Sequence, residues 1–482
     1  MVHLVRTAWQ DVDAREPLSS GQADDASRLN RTRVAEVWRI PADRDDAERQ
    51  LADLLRRAKR DQLRISIAGA RHSMGGHTIY PGGIVIDMRP FRALTLNADK
   101  RLMTAQAGAT WEEIIPYLDA QGLSVAVMQS NNSFTVGGSL GANCHGWQYG
   151  SAPIASTVES FRLMSAEGSI LRCSRQEHAE LFSLTLGGYG LFGIILEAEL
   201  RVVPNQCYQL EQAIVPTTQA LTTFDRIVAE HPDVEMMYAR MSVAPERFLD
   251  EVILNAFYPA QRPDATLPEL HAPGMVAIRR SLFRGSAGSD YGKALRWEAE
   301  TKLQPHLCEQ FYSRNQLLNE STTTFENRFA DSTDILHEYF VPRDGVARFV
   351  AELKKHLPQP EVDLLNVTIR EVEPDRDTFL RYAEQPMFSF VMLFQQRRDA
   401  KAETSMKSLT RKLIDAANAS GGRYYLPYRL HATSAQLRQA YPQVDDFFAR
   451  KRRYDPDELF QNQFYVTYRE SPTPQTSEST VP

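Results

Sequence analysis

Two stretches of small residues offer the backbone itself as a binding surface. In AGARHSMGGH (68–77), Ala68, Gly69 and Ala70 let successive N–H groups point at a common centre, a cradle suited to a pyrophosphate, and His72 stands at its end. In TVGGSLGANCHG (135–146), Gly137, Gly138, Gly141 and Gly146 permit close approach to a flat, bulky ligand. A third run, Gly188, Gly190 and Gly193, spells G-x-G-x-x-G. That fingerprint needs a strand before it and a helix after it, so that phosphates meet a helix N-terminus. Here a helix is predicted before it (178–188) and a strand after it (192–204), which rejects a nicotinamide-type site and leaves a sharp turn or a close approach. Farther on, Asn366, Thr368 and Arg370 alternate with apolar neighbours, which puts three polar side chains on one face of a strand.

The hydrophobic pattern predicts the elements that must hold these residues. Residues 34–40 alternate as a strand, and Asp43 opens a helix carrying Leu51, Leu54, Leu55 and Ala58 on one face. Strands over 64–69 and 83–88 flank the His72 loop, and another is predicted over 102–108. Thr110 and Glu113 form a capping-box signature, and 158–174 reads as two strands around a turn at 166–168. Residues 131–150 are too rich in Gly and Asn to be regular. The result is an α+β lobe to about residue 205. A second domain over 206–415 has longer amphipathic helices and few strands, 364–373 and 387–396 being the clearest. Residues 1–29 read as a polar, irregular arm, 416–468 as a C-terminal segment and 469–482 as a disordered tail.

With 482 residues, 43% of them hydrophobic and 24% charged, the chain supports a sizeable core in two lobes. A net charge of −6 argues against a partner that tracks nucleic-acid phosphates. Cys144, Cys173, Cys207 and Cys308 form no C-x-x-C pair, which excludes a disulfide scaffold or zinc ribbon and fits a reducing cytoplasm. No signal-peptide core and no run of ~18 apolar residues is present, so a cytoplasmic protein without a transmembrane segment is expected.

Five segments together resemble the FAD-binding flavoproteins of the vanillyl-alcohol oxidase and p-cresol methylhydroxylase (PCMH) type. They are G-A-R-H-S (69–73), G-G-I-V-I-D-M (82–88), V-G-G-S-L-G-A-N-C-H-G (136–146), G-G-Y-G-L-F-G-I-I (187–195) and Y-D-P-D-E-L-F-Q-N-Q-F (454–464). Within that superfamily the sequence is similar to the branch of alditol and aldonolactone oxidases, cytokinin dehydrogenases and decaprenylphosphoryl-ribose oxidases, with 421–456 similar to the ends of the last group. The resemblance implies a two-lobed α+β fold: a PCMH-type FAD-binding domain over 30–205, a substrate domain with one sheet over the flavin, and a C-terminal segment returning to the first lobe. It implies FAD contacts from Ala68, Gly69, Ala70, Arg71, His72 and Ser73, and from Gly137, Gly138, Leu140, Gly141, Asn143, Cys144, His145 and Gly146. Gly190, Gly193 and the main chain of Ile194 are implied at the adenine end, with Asn462 from the last segment. His72 is the expected point of covalent attachment to the flavin 8α-methyl, with His77 as its rival. Cys144 precedes His145-Gly146, an arrangement implying at most one flavin link. Its thiol is expected to line the ring or to lie buried and inert.

On the substrate side the resemblance implies Arg370 near a substrate hydroxyl, with Asn366 and Thr368 beside it. Thr368 stands where alditol oxidases carry an acid, and Tyr428 where decaprenylphosphoryl-ribose oxidases carry a lysine, which separates the chain from both. The implied activity is an FAD-dependent oxidoreductase passing hydride from a CH–OH carbon of a small sugar-, polyol- or alcohol-like substrate to flavin N5. Tyr428 or His431 would be the base, backbone amides of the 137–146 loop or a cation such as Arg370 or Lys451 would stabilise the reduced ring, and dioxygen or another acceptor would reoxidise it. Lys451, Arg452 and Arg453 form a basic run, at least two of which read as a solvated helix end. The alternatives are an amine dehydrogenase of the cytokinin dehydrogenase type, or a flavin-bound electron-transfer partner without its own small substrate.

Overall fold

A computed structural model describes residues 2–260, 267–272, 274–304, 311–359 and 361–470; Cys308 and most of the expected tail (471–482) lie outside them. The protein is α+β, built on a small parallel sheet and two larger antiparallel ones.

The parallel sheet orders Glu36–Arg39, Ile84–Asp87 and Ile65–Ala68. The helix Arg44–Arg60 connects its first two strands in sequence. It starts where Asp43 accepts a hydrogen bond from the Asp46 N–H, and it buries Leu51, Leu54, Leu55 and Ala58. The C-terminal segment adds to this sheet: the Ile65 N–H donates to the Leu459 carbonyl (2.8 Å), and the Gln461 N–H to the Ile65 carbonyl (2.9 Å). A six-stranded sheet centres on the long strand Ile194–Pro204, flanked by Val158–Met164 and Leu102–Gln106. The helix Ala179–Thr185 precedes Gly188–Gly193 and the long strand follows, the reverse of a dinucleotide fingerprint.

The third sheet has eight strands. Its central run orders Met236–Met241, Asp363–Val372, Met387–Arg397 and Ser332–Pro342. Here the sequence reading needs correction, because strands also form over Cys207–Pro216, Met236–Met241, Glu251–Pro259, Tyr312–Ser313 and Ser332–Pro342. Glu251–Pro259 is buried over Val252–Phe257, so it lacks the alternation that marks a half-exposed strand.

Two further expectations are corrected. The glycine-rich 131–150 stretch contains a helix, Val136–Ala142, started by Thr135, whose hydroxyl accepts from the Gly138 N–H. Glycine costs a helix about 1 kcal/mol per residue; burial of Val136 and Leu140 offsets that cost. The N-terminal arm is also structured. Val2–Gln10 is a helix against Val276–Arg284, and Gln22–Ala23 pairs with Thr32–Arg33.

Candidate active site

A cavity of 1370 Å³ is lined by Gly69–Ser73, which follow the strand Ile65–Ala68, by Gly137, Gly138 and Gly141 of the helix Val136–Ala142, and by Asn366, Thr368 and Arg370 of the eight-stranded sheet. The two glycine loops touch each other: a Cβ added to Gly69 would stand 2.0 Å from Thr135 Oγ1. The C-terminal segment closes on the same place. The Met74 N–H donates to the Pro427 carbonyl (2.8 Å), and a Cβ on Gly75 would lie 2.4 Å from the Tyr428 carbonyl oxygen. Gly190 and Gly193, at φ +72 and +146, turn the chain past the cavity where a side chain would be strained.

The walls carry unused hydrogen-bonding capacity. Among the described residues, no backbone N–H from Gly69 to Ser73 donates to a protein acceptor. Arg71 Nε and Nη2, Ser73 Oγ and the hydroxyls of Thr78 and Thr185 are buried without a protein partner. A buried polar group left unpaired costs roughly 1–3 kcal/mol. A wall with this many fits a ligand rich in acceptors, such as a diphosphate, while the glycines leave room for a planar ring. Arg71 itself sits at φ +62, a left-handed conformation held at the centre of the loop. These residues fit a flavin dinucleotide.

His72 and His77 both line the cavity. Burial lowers their pKa values to about 4 and about 3, so both rings are neutral at physiological pH. His72 stacks on Phe134 with ring centroids 3.9 Å apart. Its Nε2 lies 3.3 Å from both the carbonyl and the hydroxyl oxygen of Ser133. Cys144 lines the cavity too, and burial pushes its thiol up to about 12, so it stays protonated.

A polar group also lines the cavity around Glu338, from the strand Ser332–Pro342. Its Oε1 accepts from His145 Nε2 (2.5 Å) and Ser389 Oγ (2.6 Å), and its Oε2 accepts from the Tyr428 hydroxyl (3.1 Å). Burial pushes the Glu338 pKa up, but His145, Arg370 and the Ser389 hydrogen bond together hold it below the ordinary value. Tyr428 is raised well above its usual value by burial and then by the facing carboxylate, so it keeps its proton and donates it. Burial lowers the Arg370 pKa, and its Nε has no protein partner. Glu338 went unrecognised in the sequence. The available signal was an acid inside an apolar strand, since no local spacing links it to Ser389, Tyr428 and His145, 51, 90 and 193 positions away.

The structure moves several expected site residues out of the cavity wall. Lys451 is buried against Asp455 one helical turn on, and the fold thus uses it to neutralise an internal carboxylate. His431 bonds Thr410 Oγ1 (2.8 Å) and Glu403 (2.9 Å) behind the wall. Ala68 and Leu140 are fully buried supports, and Ile194 lies in a strand whose neighbours Gly193 and Ile195 face the cavity instead. Asn143 adopts a left-handed C-cap conformation and bonds Asp375 (2.8 Å). Gly146 is required by the Met128 carbonyl, 2.0 Å from any added Cβ. Asn462 acts at one remove, donating to the carbonyl of the cavity residue Tyr189 (2.9 Å). Conversely Asp24, Asp25 and Arg28 of the arm do line the cavity, with the Asp25 carboxylate accepting from the Gly76 N–H (2.8 Å).

Residues 46–174 match the family model described as an FAD binding domain. Similar curated proteins include an L-gulonolactone oxidase of Bos taurus, 27% identical over 35% of this chain and 38% of its own length. Cytokinin dehydrogenase 2 of Arabidopsis thaliana is 30% identical over 41% of this chain and 39% of its own. The matched region thus spans less than two-fifths of those two relatives. A decaprenylphosphoryl-beta-D-ribose oxidase of Mycolicibacterium smegmatis is 23% identical over 81% of this chain and 86% of its own. No described helix is long and apolar enough to cross a membrane.

Proposed function

We propose that this chain, whose N-terminal lobe is a PCMH-type FAD-binding domain, is an FAD-dependent oxidoreductase acting on a CH–OH carbon of a small polar substrate. When bound, FAD supplies the two-electron acceptor for a hydride. The residues Gly69–Ser73 would hold its diphosphate through their free N–H groups, and Gly137, Gly138 and Gly141 would lie against its planar part. The neutral His72, which lines the cavity, is the candidate for a covalent bond to the cofactor.

In the same cavity, Arg370 would orient the substrate oxygen and stabilise negative charge on it. The Tyr428 oxygen would take the hydroxyl proton as its own proton passes along the existing hydrogen bond to Glu338, which is ionised and able to accept it. His145 and Ser389 hold that carboxylate in place. The single observation that carries this reading is that the Arg370–Tyr428–Glu338 group opens onto the same cavity as both glycine loops. A small-molecule electron acceptor, dioxygen or another, completes the cycle. The buried free thiols Cys144 and Cys173 favour a reducing cytoplasm.

The test is anaerobic mixing of the flavin-loaded protein with sugars, polyols, aryl alcohols and amines. Bleaching by alcohols supports the proposal. Bleaching by amines alone would turn it towards the chemistry named for the cytokinin dehydrogenases, and reduction only by an electron-transfer protein would make the chain a carrier.

A further inference from the structure

Beyond the reacting wall, the cavity reaches a cluster of charges that the proposed hydride chemistry leaves unused. Arg240, on the strand Met236–Met241, lies opposite Thr368 in register and lines the cavity with Asn366, Arg296 and Glu300. Asn366 Oδ1 accepts from Nη2 of both Arg240 (2.7 Å) and Arg296 (3.1 Å). Glu300 Oε1 lies 3.1 Å from Arg240 Nη2 and 2.8 Å from Arg296 Nε. Arg284 and Arg296 pack over the same Phe283 ring, and Arg284 pairs with Asp334 (2.5 Å). Lys293 and Asp363 nearby neutralise each other at 2.8 Å.

The charges do not balance. Three guanidinium groups face two carboxylates: Arg284 has Asp334, while Arg240 and Arg296 share Glu300, and Arg240 Nε is buried without a partner among the described residues. Its Nη1 also finds no acceptor among the described residues. Two guanidinium groups on one carboxylate leave a net positive charge on a half-buried wall, which an anion from the cavity would complete. A stretched strand rises ~3.4 Å per residue and neighbouring strands lie ~4.8 Å apart, which sets Arg240 roughly 8 Å from Arg370 across the sheet face. That separation matches the two ends of one small molecule.

Building on the proposed oxidoreductase reading, we propose that Arg240 is the recognition residue of an anion subsite, so that the substrate carries a carboxylate or phosphate at the end remote from its reacting CH–OH. Arg240 Nη1 offers the anion its donors, and Asn366, held by both arginines, fixes the orientation of the guanidinium.

The test uses three ligands of similar length on the flavin-loaded protein: sorbitol, gluconate and sorbitol 6-phosphate. Affinities are read from the shift in thermal midpoint and from perturbation of the flavin absorbance. At least one anion is expected to bind about tenfold or more tighter than sorbitol, a difference of about 1.4 kcal/mol. A preference for gluconate assigns a carboxylate, and a preference for the phosphate assigns a phosphate. The preference should collapse in Arg240→Gln and largely survive in Arg240→Lys. Sorbitol binding as tightly as both anions, no shift with either anion, or a preference that persists in Arg240→Gln each overturns the proposal, and the wild-type comparison decides even if a variant misfolds. Because binding is read without turnover, an anion that binds without bleaching the flavin would count against the oxidoreductase reading and leave the subsite standing.

Discussion

Gly69→Ala tests whether the two glycine loops form one site. The added Cβ would lie 2.0 Å from Thr135 Oγ1, 3.1 Å from its Cβ and 3.3 Å from its Cγ2. Thr135 is 1% exposed and its hydroxyl caps the helix Val136–Ala142, so it has no room to turn without giving up the Gly138 hydrogen bond. Keeping the cap means overpacking, at about 1–3 kcal/mol; releasing it means losing the cap, at about 0.5–2 kcal/mol. Either route displaces one loop from the other, and at ~1.4 kcal/mol per tenfold the flavin affinity should fall roughly 10- to 100-fold. The assay is flavin retained per chain after purification, together with the thermal midpoint. Removing the clash in Gly69→Ala/Thr135→Ala should cost less than the sum of the two single changes. Gly141→Ala is the counterpart: its Cβ would meet no protein atom within 4 Å, yet it lines the cavity. That change should keep or raise the protein's own stability, by up to about 1 kcal/mol of helix propensity, while lowering flavin content. Full flavin in Gly69→Ala at an unchanged midpoint, or strict additivity in the double variant, would refute the convergence of the loops.

Glu338→Gln should slow substrate-driven flavin reduction by ~10²–10⁴-fold, and adding Tyr428→Phe should cost little more, since both residues serve one proton path; rapid mixing without oxygen measures both. If His72 carries the flavin, acid precipitation leaves the colour in the pellet, and His72→Ala sends it to the supernatant; colour in the wild-type supernatant removes the covalent bond. Burial lowers His72, His77 and His337 from 6.5 to about 4, 3 and 3, so the unfolded chain binds protons that the folded one does not. Stability should therefore drop as pH falls from about 6.5 towards 4, read as a declining urea midpoint, and a flat midpoint over that window would contradict the neutral, buried rings.

What could be read along the chain was what the chain does locally. Gly69 and Gly190 announce themselves because backbone freedom is a property of the residue. The helix Arg44–Arg60 was likewise legible from its cap and its periodic leucines. The glycine-rich helix Val136–Ala142 was not, since tertiary burial of Val136 and Leu140 overrides its poor propensity. Lys451 resembled a free cation because its basic neighbours suggested a solvated helix end. Its Asp455 partner sat only four positions away, and burial of the pair turns that spacing into internal neutralisation.

The reacting wall shows the deeper limit. Its members run Arg240, Glu338, Arg370, Ser389 along the chain, whereas the sheet orders their strands so that Arg240 faces Thr368, Arg370 faces Ser389 and Ser389 reaches Glu338. His145 joins Glu338 from 193 residues away. A carboxylate in an apolar strand is an expense until its donors are known, and a lone arginine in a strand is indistinguishable from a surface one. Only register brings those charges side by side, and only side by side can they be counted. That count yields an acid tied to a tyrosine at one end of the cavity and two arginines sharing one carboxylate at the other. On the proposed reading, a substrate that satisfies both ends offers a hydroxyl to the first and an anion to the second.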